Sequence, residues 1–228
     1  MKKAIYLLLA LTQLFISCNK DEPEDTGNSE NVTIMEDGKI LADNIYFNKS
    51  GDSYNATLEV TGANSKSLTK LVIPGTLKIS GKIYTVTSIY REAFFDHTEL
   101  TSIELPNTLK TIGLNAFRGC TGLTSIELPE TLETIELAAF WGCTGLTSIE
   151  LPNSVTTIKD AYQSIYGTFS GCTGLTSVTL GNSLVNIGAY AFNGCTGLTK
   201  IKMPDSVTGI GEGAFGDCPG LTSVFVSV

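Results

Sequence analysis

Five of the six cysteines, Cys120, Cys143, Cys172, Cys195 and Cys218, each close a Phe-x-Gly-Cys or Phe-x-Asp-Cys segment, at steps of 23, 29, 23 and 23 residues. Thiols in such a series could pair or hold a metal. An odd number cannot pair completely. Cysteines at one position of a stacked repeat also point their Cβ atoms in parallel, which suits the near-perpendicular disulfide torsion poorly. No Cys-x-x-Cys occurs, and the only histidine, His97, lies outside the series, so neither a metal nor another cofactor is expected. The residues read as buried free thiols that act as small hydrophobes.

Carboxylates form a second series. Glu104, Glu127 and Glu150 occupy one outward position in successive units, followed at that position by Thr179, Lys202 and Phe225. With Lys200 and Lys202 at the far end, the face runs from acidic to basic. It reads as a solvated face or as a binding surface for a partner of complementary charge, with weak Ca²⁺ binding a third possibility. Aromatic residues make a third group. Trp141 stands where neighbouring units carry Arg118, Ser170, Asn193 or Gly216, and a six-residue insertion near Asp160–Gly167 brings Tyr162 and Tyr166. Exposed rings on a loop favour contact with protein or with sugar rings, and packing of the loop on its own unit is the competing reading.

Catalysis finds little support. A Ser-His-Asp arrangement would have to be built on His97 alone, which reads as an ordinary turn residue, so no catalytic residue is assigned and the chain is not expected to be an enzyme. Gly211-Glu212-Gly213-Ala214-Phe215-Gly216 matches the dinucleotide-binding pattern only formally, because it occupies the same repeat position as Gly113–Phe117 and lacks the required strand and crossover helix. A net charge of −8 and a pI near 4.7, with no basic stripe, exclude nucleic acid as a partner.

What must position these residues is a repeat. Leu-Thr-Ser-Ile-Glu-Leu-Pro begins at Leu100, Leu123 and Leu146, and related forms begin at Leu175, Leu198 and Leu221. Within it Ile103 and Leu105 alternate with Ser102 and Glu104, the period of a strand with one buried face, and Pro106 ends it. A second apolar pair (Leu109 and Ile112 in the first full unit) leads to the phenylalanine segment. A single unit buries too little to offset the entropy of ordering its backbone, so stability must come from stacking on neighbours. Stacking in register would line up Phe94, Phe117, Phe140, Phe169, Phe192 and Phe215 as an internal spine.

The pattern strongly resembles the BspA-like leucine-rich repeats of bacterial cell-surface proteins, from about residue 71 to 228. The resemblance implies an α/β repeat protein, a right-handed leucine-rich-repeat solenoid with one short parallel strand, a second short extended segment and a helical turn per 23-residue unit. Units are expected from about 71, 100, 123, 146, 175 and 198, with a final strand at 221. Residues 34–70 lack the repeat, and Ile45-Tyr46-Phe47 and Ala56–Val60 read as strands of a β-hairpin that caps the N-terminal end.

The N-terminus carries an address. Lys2 and Lys3 precede an apolar stretch from Ala4 to Ile16, then Ser17 and Cys18, the order of an export signal over residues 1–17. Leu14-Phe15-Ile16-Ser17-Cys18 resembles the lipobox of bacterial lipoproteins, with Phe15 in place of the usual aliphatic residue. The resemblance implies acylation of Cys18, through which alone the chain would meet a membrane. Residues 18–33 read as a solvated acidic tether. Its Lys-Asp-Glu start resembles the signal that sends some Gram-negative lipoproteins to the outer face of the outer membrane. The expected function is adhesion to, or recognition of, extracellular or host proteins. The alternative is a glycan-binding accessory for nutrient capture.

Overall fold

A computed structural model describes residues 32–51, 56–160 and 166–226, and they form one row of stacked rungs closed at the N-terminal end by a sheet. Strands β1 (Val32–Ile34), β2 (Ile40–Ala42), β3 (Ile45–Ser50) and β4 (Thr57–Ala63) make an antiparallel meander. Strand β5 (Lys70–Val72) follows, and β6 (Thr76–Ile79) and β7 (Lys82–Ile89) form a hairpin. Short strands complete the chain: β8 (Ser102–Glu104), β9 (Thr111–Ile112), β10 (Thr134–Ile135), β11 (Ser148–Glu150), β12 (Thr157–Ile158), β13 (Ser177–Thr179), β14 (Asn186–Ile187), β15 (Lys200–Met203), β16 (Gly209–Ile210) and β17 (Ser223–Val226).

The expected hairpin is present as β3 and β4, within the larger meander. It joins the repeats through the parallel pair β4–β7, where Val60 lies opposite Ile89. Ile40, Ile45, Phe47, Leu58 and Val60 are buried there, so the cap shares the core of the rungs.

Each rung has three sides. The first carries the parallel pairs β5–β8, β11–β13 and β15–β17, in which alternation puts Ile103, Ile149, Val178 and Ile201 inside and leaves Glu104, Glu150, Thr179 and Lys202 outside. Ser125–Glu127 keeps this alternation, with Ile126 buried, but is not paired as a strand. One parallel strand per unit is therefore corrected at this rung. The second side is formed by β7–β9–β10 and β12–β14–β16, with Ile112, Ile135, Ile158 and Ile187 pointing inward.

The third side corrects the expected class. No helix occurs among the described residues, so the fold is all-β and not α/β, and the helical turn of each unit is replaced by a chain of tight turns. Left-handed residues break any right-handed run, as at Asn115 (φ 55) and Gly119 (φ 73). Amides alternate between two uses. Ala116, Arg118 and Cys120 donate to carbonyls three residues back, at 3.2, 3.1 and 3.1 Å. Asn115, Phe117 and Gly119 donate instead to Leu137, Ala139 and Trp141 of the next rung, at 3.2, 2.8 and 2.8 Å. A helix would consume these donors internally and leave the rungs unjoined on this side.

Those turns deliver the phenylalanines to the axis. Phe94, Phe117, Phe140, Phe169, Phe192 and Phe215 stack with ring centroids 5.2–5.5 Å apart and interplanar angles of 12° or less, and the first five are fully buried. The expected spine is thus present. Side-chain bonds between rungs accompany it. Thr101, Thr124, Thr147 and Thr176 each donate their hydroxyl to the backbone carbonyl of the corresponding threonine in the preceding rung, at 2.9–3.4 Å.

Candidate functional site

The first side of the rungs sets Glu104, Glu127 and Glu150 in one outward column, because each follows a buried isoleucine by one residue. Their continuation is seen directly in the pairing of Glu150 with Thr179 and of Lys202 with Phe225. Lys200 lies outward two residues before Lys202 on β15. Two adjoining grooves, about 490 and 510 Å³, run along this column and share Glu130, Glu150 and Thr179 as lining. The first is bounded also by Glu127, the second by Lys202 and Asp205. Among the described residues no basic group lies within 4.0 Å of Glu104, Glu127, Glu130 or Glu150; the ion pairs present involve Asp37, Glu92, Glu133 and Glu136.

Sequence reasoning missed Glu130 and Asp205. Both occupy the position after the proline that ends the strand, shared with Asn107, Asn153 and, after Gly181 in place of the proline, Asn182, so alignment of that column was the signal that could have found them. The column is structural elsewhere, since the amide of Asn182 donates to Oδ1 of Asn153 at 2.7 Å.

The aromatic candidates lie on the turn side. Trp141 and Tyr166 meet edge to face with centroids 4.9 Å apart. The guanidinium of Arg118 sits 4.4 Å from the Trp141 ring, 5.4 Å from Tyr166 and 5.3 Å from Phe95. Tyr166 of the insertion thus packs on Trp141 and Arg118 of the two preceding units. Tyr162 and Cys18 lie outside the described residues.

The cysteines form a buried ladder with a role in hydrogen bonding that their hydrophobicity did not announce. Sγ of Cys120, Cys143, Cys172, Cys195 and Cys218 donates to the backbone carbonyl of Phe94, Phe117, Phe140, Phe169 and Phe192 respectively, at 3.0–3.2 Å. All five are free thiols. Burial pushes Cys120 and Cys195 up to about 12, Cys143 and Cys172 well above the ordinary thiol value, and half-buried Cys218 upward as well. A thiol that stays protonated is a poor nucleophile. In a Cys18→Ser background, a disulfide-exchange reagent at pH 8 should therefore modify Cys218 first and reach the other four only on unfolding. Rapid modification of all five in the folded chain would contradict this ladder.

His97 is not outside that series. It takes the turn position of the cysteines at the head of the ladder, is 5% exposed, and meets Phe94 edge to face at 5.7 Å. Each cysteine lies three residues after a spine phenylalanine, and so does His97. Nδ1 lies 3.3 Å from the Phe95 carbonyl oxygen and buried Nε2 has no partner among the described residues. Burial pushes its pKa down and favours the neutral ring. It remains a turn residue, as expected, but an interior one. No cluster of three His, Cys, Asp or Glu able to hold a metal occurs among the described residues.

The repeat is shared with known proteins. The profile described as the BspA type leucine rich repeat region matches residues 61–166 and 87–222, in six copies. A leucine-rich repeat protein of T. pallidum is 31% identical with a TM-score of 0.69, over 78% of each chain. A leucine-rich cell surface protein of Faecalibacterium prausnitzii A2-165 is 27% identical with a TM-score of 0.65, over 82% of this chain and 54% of that one. A leucine-rich repeat protein of Bacteroides ovatus ATCC 8483 is 29% identical with a TM-score of 0.59, over 81% of this chain and 52% of that one. The chain thus spans about half the length of the latter two. No curated protein shows significant similarity to it. With the profile covering most of the chain and the stacked rungs in place, the chain belongs to the BspA type leucine-rich repeat family.

Proposed function

We propose that this chain is a lipid-anchored binding protein of a Gram-negative outer membrane, facing outward, which captures a basic, extended stretch of an extracellular or host protein along the groove of its strand side. The observation that carries the reading is the run of Glu127, Glu130 and Glu150 along two adjoining grooves, with no basic group within 4.0 Å of them among the described residues. Aligned carboxylates held on a rigid frame repel one another, and a basic partner relieves that repulsion while its own charge steers the encounter. Lys202 at the far end of the second groove would set the direction in which such a segment lies. Family membership supports a binding role over a catalytic one, and the F. prausnitzii neighbour is described as a cell surface protein.

Pull-down with the portion from Asn31 onward, against host extracellular proteins and polysaccharides, identifies the partner. Glu127→Lys with Glu150→Lys should then weaken binding by about 100-fold, on the order of 1–2 kcal/mol per reversed contact, and flatten its salt dependence. Unchanged affinity would remove the strand side as the binding surface. The anchor is tested separately. Cys18→Ser should move the chain from the membrane fraction to the soluble one, and a variant that stays with the membrane would refute acylation at that residue.

A further inference from the structure

We infer that the ring-clamped guanidinium of Arg118 is a recognition site for the oxyanion of an acidic sugar, separate from the strand-side groove and independent of the reading given to it. Arg118 is held by rings from the rung before and the rung after: Phe95 at 5.3 Å on one, Trp141 at 4.4 Å on the other, with Tyr166 at 5.4 Å. Its side chain makes no hydrogen bond among the described residues, buried Nε included, and no carboxylate lies within 4.0 Å of it. The adjacent Asp96 turns its carboxylate over Gly119 instead, where an added Cβ would lie 2.2 Å from Oδ1. A second cation, Lys66, stands 5.8 Å from the Phe95 ring and has no carboxylate within 4.0 Å among the described residues. A strip of two cations against one acid thus interrupts a chain whose net charge is −8.

Clamping determines what this arginine can do. Three rings lie 4.4–5.4 Å from the guanidinium carbon, and with Nε buried a ligand can reach the group only through the edge formed by its two Nη atoms. That edge is a rigid fork matched to two oxygens of a carboxylate or a sulfate. Tyr166, 41% exposed, borders the fork with an aromatic surface on which the C–H face of a sugar can rest. A neutral sugar supplies no oxyanion, and a peptide carboxylate supplies no flat apolar face for Tyr166. An anionic sugar satisfies both groups.

Trp141 is the only tryptophan, so intrinsic fluorescence reports on this site directly. The full chain is titrated with a galacturonate oligomer, a sulfated galactose oligomer and a neutral galactose oligomer. A saturable change with the first or the second supports the site and tells carboxylate from sulfate. Arg118→Gln and Arg118→Lys should each weaken that binding by about tenfold or more with unchanged circular dichroism, the lysine variant because it keeps the charge and loses the fork. Tyr166→Ala, at an exposed ring outside the spine, should weaken it as well and serves if the arginine variants fail to fold. The paired reversal of Glu127 and Glu150 should leave it unchanged. No response to either anionic oligomer, an equal response to the neutral one, binding indifferent to Arg118, or a response only to an acidic peptide would each overturn the assignment.

Discussion

Phe140→Ala is expected to cost about 3–5 kcal/mol of unfolding free energy, a large fraction of what a domain of this size has in reserve. The ring is fully buried and stacked on both sides, on Phe117 at 5.3 Å and on Phe169 at 5.3 Å. Its removal leaves a cavity that the neighbours cannot close, because each is pinned by turn amides bonded to the next rung. In a stack where every unit is held by its neighbours, a defect at the centre also weakens coupling between the two halves. Guanidinium chloride unfolding followed by circular dichroism should show a lowered midpoint and a broadened transition. Phe215→Ala is the internal comparison. Phe215 is partly buried and stacks on Phe192 alone among the described rings, so its loss should cost clearly less. Equal losses at the two positions would show that the spine is not what joins the rungs.

Gly145→Ala should cost about 3 kcal/mol or more, although it adds only one methyl group. A Cβ at Gly145 would lie 2.3 Å from the carbonyl oxygen of Thr121 in the preceding rung, and that oxygen belongs to backbone that cannot swing aside. Gly122 and Gly174 meet the equivalent carbonyls of Thr98 and Thr144 at 2.4 Å, so the constraint belongs to the repeat position. Glu99 stands at the corresponding place in the first of these turns, where its side chain is exposed. Gly142→Ala is the contrasting variant. There a Cβ meets nothing within 4 Å, but φ is +70°, so the expected cost is only the roughly 1–2 kcal/mol of left-handed backbone. Thermal unfolding of the two variants separates the causes. A Gly145→Ala chain as stable as Gly142→Ala would mean that the rungs stand further apart than described.

Much of the stack was legible in the chain itself. Leu100, Ile103, Leu109, Ile112 and Phe117 recur at matching places in later units, and all five are buried as that recurrence required. The outward column of Glu104, Glu127 and Glu150 was legible for the same reason, because alternation along a strand assigns a face to every residue. Glu130 and Asp205 were not, since they lie in turns beyond the strand, where alternation no longer assigns a direction. The helical turn of the third side came from the resemblance and not from the residues. A short apolar segment followed by glycine is compatible with a helical turn when taken alone, and nothing inside one unit states that Phe117 will donate its amide to Ala139. The clamp on Arg118 was equally invisible, as it needs Phe95, Arg118, Trp141 and Tyr166, one from each of four consecutive units, to come together.

The amino-acid order by itself determined the rung: its length, its buried set, and the recurrence that forces one rung to lie on the next in register, because like side chains packed on like ones satisfy every unit at once. Tertiary structure alone decided where the backbone donors of the turn side go, which carboxylates share a groove, and which cation is caged by rings. Those outcomes depend on distances between atoms 20 or more residues apart, and a pattern of residue types carries no information about such distances until the rungs are stacked.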